Sequence, residues 1–357
     1  MPDNKHYYCA ILAGGLGTRF WPISRKAFPK QFLVFTKTGK TFLQQAYERM
    51  AMVVPEENIL VVTLKEYKEI VKAQLPQLPE ENILLELYNR NTAPSITYAA
   101  KEILRRDPQS VMVATPADHL IEDSDEFSST LRTALDYASS HDELVTLGIL
   151  PTRADTNFGY IQVNGGKDVI KTRIPVTVKT FTEKPTKEIA ELFIKSGEFL
   201  WNSGIFIWKP TVILEEMERY APNIISLWKD SGDIDKIYTD CPRTSIDYAV
   251  MEKTDRATVF PAKFSWADIG TWESLYDNIG DPDRTGNVTN IKGKHLFKED
   301  EENIIFCQKK NKLIAIRGLE NMIVVDTEDV LMICPRNERK VKEFLSELAM
   351  PEYEDFR

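Results

Sequence analysis

The chain is 357 residues long, 43% hydrophobic and 28% charged, with a net charge of −9, enough material for one large and one small domain around sizeable cores. An acidic chain without a basic block excludes general nucleic-acid or membrane-surface binding, and no apolar run approaches the ~18 residues of a membrane span. Four scattered cysteines (Cys9, Cys241, Cys307, Cys334), with no CxxC and no histidine at metal spacing, point to isolated thiols in a reducing compartment.

The N-terminal "MPDNKHYYCAIL" holds too short an apolar run for a signal peptide, so a cytoplasmic protein is expected. "YYCAIL" (7–12) reads as a buried strand. Leu43, Ala46, Tyr47 and Met50 then recur at helical spacing. "NILVVT" (58–63) is a strand, followed by a helix-like stretch to about Leu75, and "NILLEL" (82–87) is another strand. Ile96, Ala99, Ala100 and Ile103 repeat the helical spacing before the strand "VMVAT" (111–115). Residues 125–140 read helical and "ELVTLG" (143–148) strand-like. This alternation predicts an α/β fold with a mainly parallel sheet covered on both faces.

Beyond residue 150 the pattern loosens. "GYIQV" and "VTVKTF" read as strands, then come a helix at 186–196, the strand "GIFIW", a helix at 211–220 and a mostly helical region over 222–262. The turn-rich "DPDRTGN" (281–287) marks a boundary, dividing the chain into a catalytic domain over 1–283 and a small domain over 284–357. In the latter, "KLIAI", "NMIVVDT" and "VLMIC" are short strand-like runs without intervening helices, and Val341, Phe344, Leu345 and Leu348 share one face of a terminal helix. The small domain is therefore expected to be β-rich, and its apolar strands make a homodimer an expectation.

Residues 11–32, "ILAGGLGTRFWPISRKAFPKQF", pack three glycines, two prolines and four basic residues into one stretch. A dinucleotide fingerprint fails here, because Phe20 stands where the third glycine is needed. A G-x-x-x-x-G-K-[ST] phosphate loop fails too: the only partial candidate, "GKT" at 39–41, has Val34 five residues before its glycine. What remains is a loop whose bare backbone can approach an anion. Between Asp3 and Glu48 stand seven cations (Lys5, Arg19, Arg25, Lys26, Lys30, Lys37, Lys40) and no acid. Such segregation in an acidic protein calls for an anionic ligand; the alternative is a solvated basic face beside a tight turn.

"LAGGLGTRFWPISRKAFPKQF" resembles the signature of sugar-phosphate nucleotidyltransferases, specifically the mannose-1-phosphate guanylyltransferases. "RNTAP" (90–94), "TPADH" (115–119), "FTEKP" (181–185), "WNSGIFIW" (201–208) and "SWADIGTW" (265–272) follow in that family's order. Together they cover residues 8 to about 275, and the C-terminal region resembles the small β domain of the short members. The resemblance implies a Rossmann-like nucleotidyltransferase domain with a mainly parallel mixed sheet. The reaction it implies is transfer of GMP from GTP to α-D-mannose 1-phosphate, giving GDP-mannose and pyrophosphate by direct in-line attack with Mg2+. Both reactants are polyanions, so such catalysis consists largely of positioning and charge neutralisation, without a covalent protein nucleophile.

On this resemblance Gly14, Gly15, Gly17 and Thr18 cradle the triphosphate while Arg19 and Lys30 balance its charge; Arg forks onto two oxygens and Lys acts as a point charge. Asp118, just past a buried strand, and Asp268 are the implied metal ligands; two carboxylates plus phosphate oxygens and waters suit Mg2+. Lys184 meets the sugar phosphate; Glu183 and Asn202 meet sugar hydroxyls, with Gly159 admitting backbone close to the ring. Thr92 belongs to the base side. One departure shows there: Leu87 follows Glu86 where members usually carry Glu-Pro. The chain also ends where bifunctional relatives continue into a sugar-isomerase domain, so no isomerase activity is expected. Two alternatives stand beside this reading: the same chemistry on another sugar 1-phosphate or nucleotide, and a non-catalytic nucleotide-binding protein. The latter is expected to have lost Arg19, Lys30, Asp118, Lys184 or Asp268, and all five are present.

Overall fold

The structure is a computed structural model that describes residues 4–36, 38–166, 168, 172 and 174–356. Lys37 of the basic run lies outside them. The chain forms two compact units that do not follow chain order. One comprises Met1–Gly14, Leu43–Ala117 and Ile121–Trp266; the other comprises Gly15–Phe42, Asp118–Leu120 and Ala267–Arg357.

The first unit begins β1 (Tyr7–Leu12), α1 (Phe42–Ala51), β2 (Ile59–Leu64), α2 (Lys68–Gln74), β3 (Ile83–Glu86), α3 (Thr92–Arg106) and β4 (Val111–Pro116). After β5 (His119–Ile121) come α4 (Ser124–Ser140), β6 (Leu144–Ile149), β7 (Tyr160–Val163), β8 (Val176–Thr182), α5 (Lys187–Ser196) and β9 (Phe199–Trp208). Then follow α6 (Pro210–Tyr220), α7 (Pro222–Asp230), α8 (Ile234–Asp240), a wide helical turn at Asp247–Met251, and β10 (Ala257–Ala262). The nine-stranded sheet has the order β3-β2-β1-β4-β9-β6-β10-β8-β7. Strands β1 to β4, β6, β7 and β10 run one way; only β8 and β9 oppose them, so the sheet is mixed but mainly parallel.

Local chemistry explains these elements. Leu43, Ala46, Tyr47 and Met50 of α1 are all buried, as their spacing requires. Each "NIL" strand opens on a buried asparagine that ties it to the segment before it. Asn58 donates to the carbonyls of Lys5 and Tyr7, and Asn82 to those of Glu57 and Ile59. Helices α3 and α4 are capped by Asn91 and Asp123, whose side chains accept from Thr92 N and Glu126 N. The expected helical character of 222–262 fails over its last six residues. Ala257–Ala262 is an interior strand, parallel to β6, and β8 pairs with it only at Thr258 and Val259. Pro261 therefore lies beyond the β8 ladder, where a strand tolerates its missing donor.

In the second unit β5 pairs with β11 (Trp266–Asp268), followed by α9 (Trp272–Ile279). The "DPDRTGN" stretch is a turn closed by Asp283, whose carboxylate accepts from Thr285 N and Asn287 N. Beyond it run β12 (Val288–Ile291), β13 (Lys294–Lys298), β14 (Ile304–Cys307), β15 (Leu313–Arg317), β16 (Met322–Asp326) and β17 (Leu331–Pro335), then α10 (Glu338–Glu347). Strands β12, β14 and β16 pair in parallel, as do β13 and β15, with β17 antiparallel at one edge. Each coil thus returns to its own sheet by way of the other sheet's strand. Buried Asn287 and Asn303 stack at one corner, Asn303 Nδ2 donating to Asn287 Oδ1 at 2.9 Å and to Leu319 O at 2.7 Å.

The core of this unit joins its two ends. Phe20, Phe35 and Phe42 from the basic loop pack with Ile269, Trp272, Phe306, Ile323, Val325 and Val341. Phe306 stands 6.4 Å from Phe35 and 5.3 Å from Trp272, ring centre to ring centre, edge-on to both. Phe306→Ala is expected to cost about 3–5 kcal/mol. A urea unfolding midpoint indistinguishable from wild type would refute this packing role.

Candidate active site

The glycine loop leaves β1 and passes into the second unit. Ala13 N donates to Val62 O at 2.8 Å, and Gln31 Nε2 donates to Gly15 O at 2.8 Å. Gly17 sits at φ +57°, and a Cβ there would lie 2.6 Å from Lys30 N, so only glycine fits. A Cβ at Gly15 would meet no described atom within 4 Å, so its backbone faces open space. Thr18 and Arg19 are exposed and begin a tight turn closed by Trp21 N donating to Thr18 O.

Lys30 is the centre of this cluster. Its side chain is 5% exposed and passes between the Phe20 and Phe42 rings, at 5.9 and 5.6 Å. The ammonium donates to Ile269 O at 2.5 Å and to Asp118 Oδ2 at 2.7 Å, with Asp268 Oδ1 at 3.7 Å. Burial alone would push the Asp118 carboxyl up. The adjacent Lys30 ammonium and His119 outweigh it and hold Asp118 at about 2. Arg19 reaches the same place: a Cβ at Gly270 would lie 3.2 Å from Arg19 Nη1 and 3.6 Å from Asp268 Oδ1. Gly15, Gly17, Thr18, Arg19, Lys30, Asp118 and Asp268 thus lie in one unit, although 150 residues separate the two aspartates.

Asp118 and Asp268 both stand against the Lys30 ammonium. Two carboxylates face one point, and Asp118 is ionised throughout the neutral range. Among the described residues no group of three His, Cys, Asp or Glu forms a metal cage.

The first unit gathers Gly159, Glu183, Lys184 and Asn202. Asn202 N donates to Gly159 O at 2.8 Å, and a Cβ on Gly159 would lie 2.5 Å from Glu183 Oε2 and 3.3 Å from Asn202 Cβ. Glycine at 159 is what lets the Glu183 carboxylate sit there. Lys184 pairs with Glu183 and is held at φ +47°, a strained conformation for lysine. Burial lowers the Lys184 pKa, but the Glu183 carboxylate beside it wins, so the net shift is upward and the ammonium stays charged.

Gly14 and Thr92 belong to this unit as well. Asn89 Nδ2 donates to Gly14 O at 2.5 Å, and a Cβ at Gly14 would lie 2.9 Å from Glu86 Oε2. Thr92 opens α3, and its hydroxyl accepts from Ile246 N at 2.9 Å. Glu86 itself is a buried carboxylate, its Oε1 accepting from Ser95 Oγ at 2.5 Å and Tyr238 OH at 2.6 Å. Burial raises its pKa against the pull of those two hydroxyls. Two residues escape the motif reading. Glu86 registers in the sequence only as half of a variant dipeptide, and Asp247 of "SIDYAV" carries no spacing signal at all.

Residues 9–282 match the nucleotidyl transferase family model, and residues 294–348 match a MannoseP isomerase/GMP-like beta-helix domain. The alginate biosynthesis protein AlgA of Pseudomonas putida is 36% identical over 92% of this chain and 68% of its own. A Klebsiella pneumoniae protein named mannose-1-phosphate guanylyltransferase is 35% identical over 97% of this chain and 75% of its own. A Thermus thermophilus crystal structure named mannose-1-phosphate geranyltransferase superposes with a TM-score of 0.86 at 28% identity, covering 97% of this chain and 100% of that one. The chain therefore belongs to the nucleotidyl transferase family, in the group that carries a GMP-like β-helix domain and includes relatives named mannose-1-phosphate guanylyltransferase.

Proposed function

We propose that this protein transfers GMP from GTP to α-D-mannose 1-phosphate, releasing pyrophosphate and GDP-mannose. The observation that carries the reading is the Lys30 ammonium buried between Asp118 and Asp268 beneath the glycine loop. Relatives at 35–36% identity that bear this activity's name support it. On the same support, residues 1–283 are the catalytic domain and 284–357 the small β-rich domain, since the two family matches fall at 9–282 and 294–348.

The residues divide the work by charge. Backbone N–H groups of Gly14, Gly15, Gly17 and Thr18 receive the triphosphate oxygens, and Arg19 forks onto two of them. Lys30 lies in a largely desolvated setting, where electrostatic neutralisation of the leaving pyrophosphate is strongest. A carboxylate accepts from adjacent N–H donors, so Glu86 beside Gly14 is suited to the N1–H and amino edge of guanine. Lys184 binds the sugar phosphate, while Glu183 and Asn202 take sugar hydroxyls. The sugar phosphate oxygen then forms a bond to the α-phosphorus as the bond to pyrophosphate breaks, with no covalent enzyme intermediate. Asp118 and Asp268 would hold Mg2+, which would supply charge stabilisation to the reacting phosphates. We place the protein in the cytoplasm, without a nucleic-acid or membrane partner; a homodimer through the β-rich domain accords with exposed Leu296, Leu313 and Leu331.

The test is pyrophosphate release with Mg2+ over a grid of four nucleoside triphosphates and several sugar 1-phosphates. Turnover confined to GTP with mannose 1-phosphate is expected. Turnover in another cell moves the substrate, and silence everywhere with nucleotide still bound would mean a non-catalytic protein. Asp118→Asn and Asp268→Asn are each expected to reduce kcat at least about a hundredfold with the fold intact, the scale of losing one transition-state charge contact; wild-type turnover by both would sink the metal assignment.

Lys30→Met offers a check free of substrate. A carboxylate held low stabilises the fold above its ordinary pKa of about 3.9 and loses that contribution as pH falls through its folded value. With the ammonium gone, Asp118 loses the largest influence that lowers it and is expected to titrate above about 2. Carboxyl-carbon NMR through a pH series reads this directly; an unmoved Asp118 would contradict the ion pair.

A further inference from the structure

Asp247 opens the wide helical turn at Asp247–Met251 and belongs to no motif that the family resemblance rests on. The segment leading into it is fastened to the start of α3 at three points. Thr244 N donates to Arg90 O at 3.1 Å, Ala93 N to Thr244 O at 3.2 Å, and Ile246 N to Thr92 Oγ1 at 2.9 Å. A backbone so anchored leaves the next residue little freedom to move.

From that anchor Asp247 Oδ1 accepts a hydrogen bond from Asn202 Nδ2 at 3.0 Å. The other end of the same amide, Asn202 Oδ1, accepts from Gly204 N at 3.0 Å and Thr146 Oγ1 at 3.2 Å. An acceptor at one end and two donors at the other allow the amide a single orientation. Asp247 lies in the field of Glu183 and Lys184 as well, and the Ser245 side chain hydrogen-bonds to it. Glu183 is itself held from behind, its backbone N–H donating to Glu252 Oε1 at 3.0 Å.

Resting on the functional reading above, we propose that Asp247 is the positioning residue of the sugar-phosphate subsite, orienting the Asn202 amide and setting the charge that Lys184 and Glu183 present. One ammonium, paired with Glu183, here faces the field of two carboxylates. When a sugar 1-phosphate draws Lys184 away, Glu183 and Asp247 are left facing each other, and the arrangement is tolerable only if one of them is protonated. Asp247 suits that part. Burial and the negative charge of Glu183 push it up to about 7, against the opposing pull of Lys184. Binding of a dianion is therefore expected to weaken as pH rises through about 7, because the newly ionised Asp247 repels it.

The test combines calorimetric binding of mannose 1-phosphate to the whole protein with steady-state pyrophosphate release, each measured from pH 6 to pH 8.5. Asp247→Ala is expected to raise Kd and KM for the sugar phosphate by about tenfold or more, the scale of one lost charge-assisted bond, while KM for GTP stays within about twofold. Asp247→Asn keeps an acceptor oxygen for Asn202; it is expected to bind within about threefold of wild type at pH 6 and to lose the decline near pH 7. A purely structural role would change both substrates alike and would leave the pH dependence in place. If wild type binds mannose 1-phosphate while Asp247→Ala matches it and Asp247→Asn retains the decline, the positioning role is overturned and the functional reading stands. If wild type binds no sugar 1-phosphate, both fall.

Discussion

The second unit is organised around one buried ammonium. Lys30 reaches Asp118, Asp268 and the Ile269 carbonyl from a side chain enclosed by two phenylalanine rings. A charge in such surroundings is tolerable only when paired and hydrogen-bonded, so the three segments that carry these groups are bound to one another. The aromatic core made by Phe20, Phe35, Phe42, Trp272 and Phe306 does the same with apolar surface. Together they explain why residues 15–42 and 118–120 cluster with the C-terminal third of the chain instead of with the sheet from which they emerge.

The first unit solves a different problem. Its cluster around Lys184 holds two carboxylates and one ammonium, with the absence of a side chain at Gly159 making room for Glu183. A lysine at positive φ before a proline is an unfavourable backbone, and here it places the Lys184 ammonium against the Glu183 carboxylate. The anchor that orders Asn202 is in turn tied to the residues beside Glu86. Thr92 and Asn202 therefore share one hydrogen-bonded framework through Ile246 and Asp247.

Much of this was legible before any coordinates. The alternation of "YYCAIL", "NILVVT", "NILLEL" and "VMVAT" with helical spacings predicted β1 to β4 within a residue at each end and placed α1 to α3 between them. Ala257–Ala262 escaped because a proline breaks its β signature, and β12 and β13 because their exposed faces are polar and short. The residues that cluster around Lys30 could be named from one glycine-rich stretch and two aspartates. Glu86 and Asp247 could not, since a lone carboxylate has no periodicity to betray its burial.

By itself the sequence determined the parallel α/β architecture, the β-rich C-terminal end, and the cations and carboxylates available for polyanion chemistry. Those follow from side-chain period, turn residues and charge segregation, all of which act over a few neighbouring positions. Only the tertiary structure decided that Lys30 lies between two aspartates 150 residues apart, that Asp247 reaches Asn202, and that the basic loop shares a core with Phe306. Such pairings depend on which desolvated charges and apolar faces come together when long segments close. Local sequence does not encode that; the packed interior does.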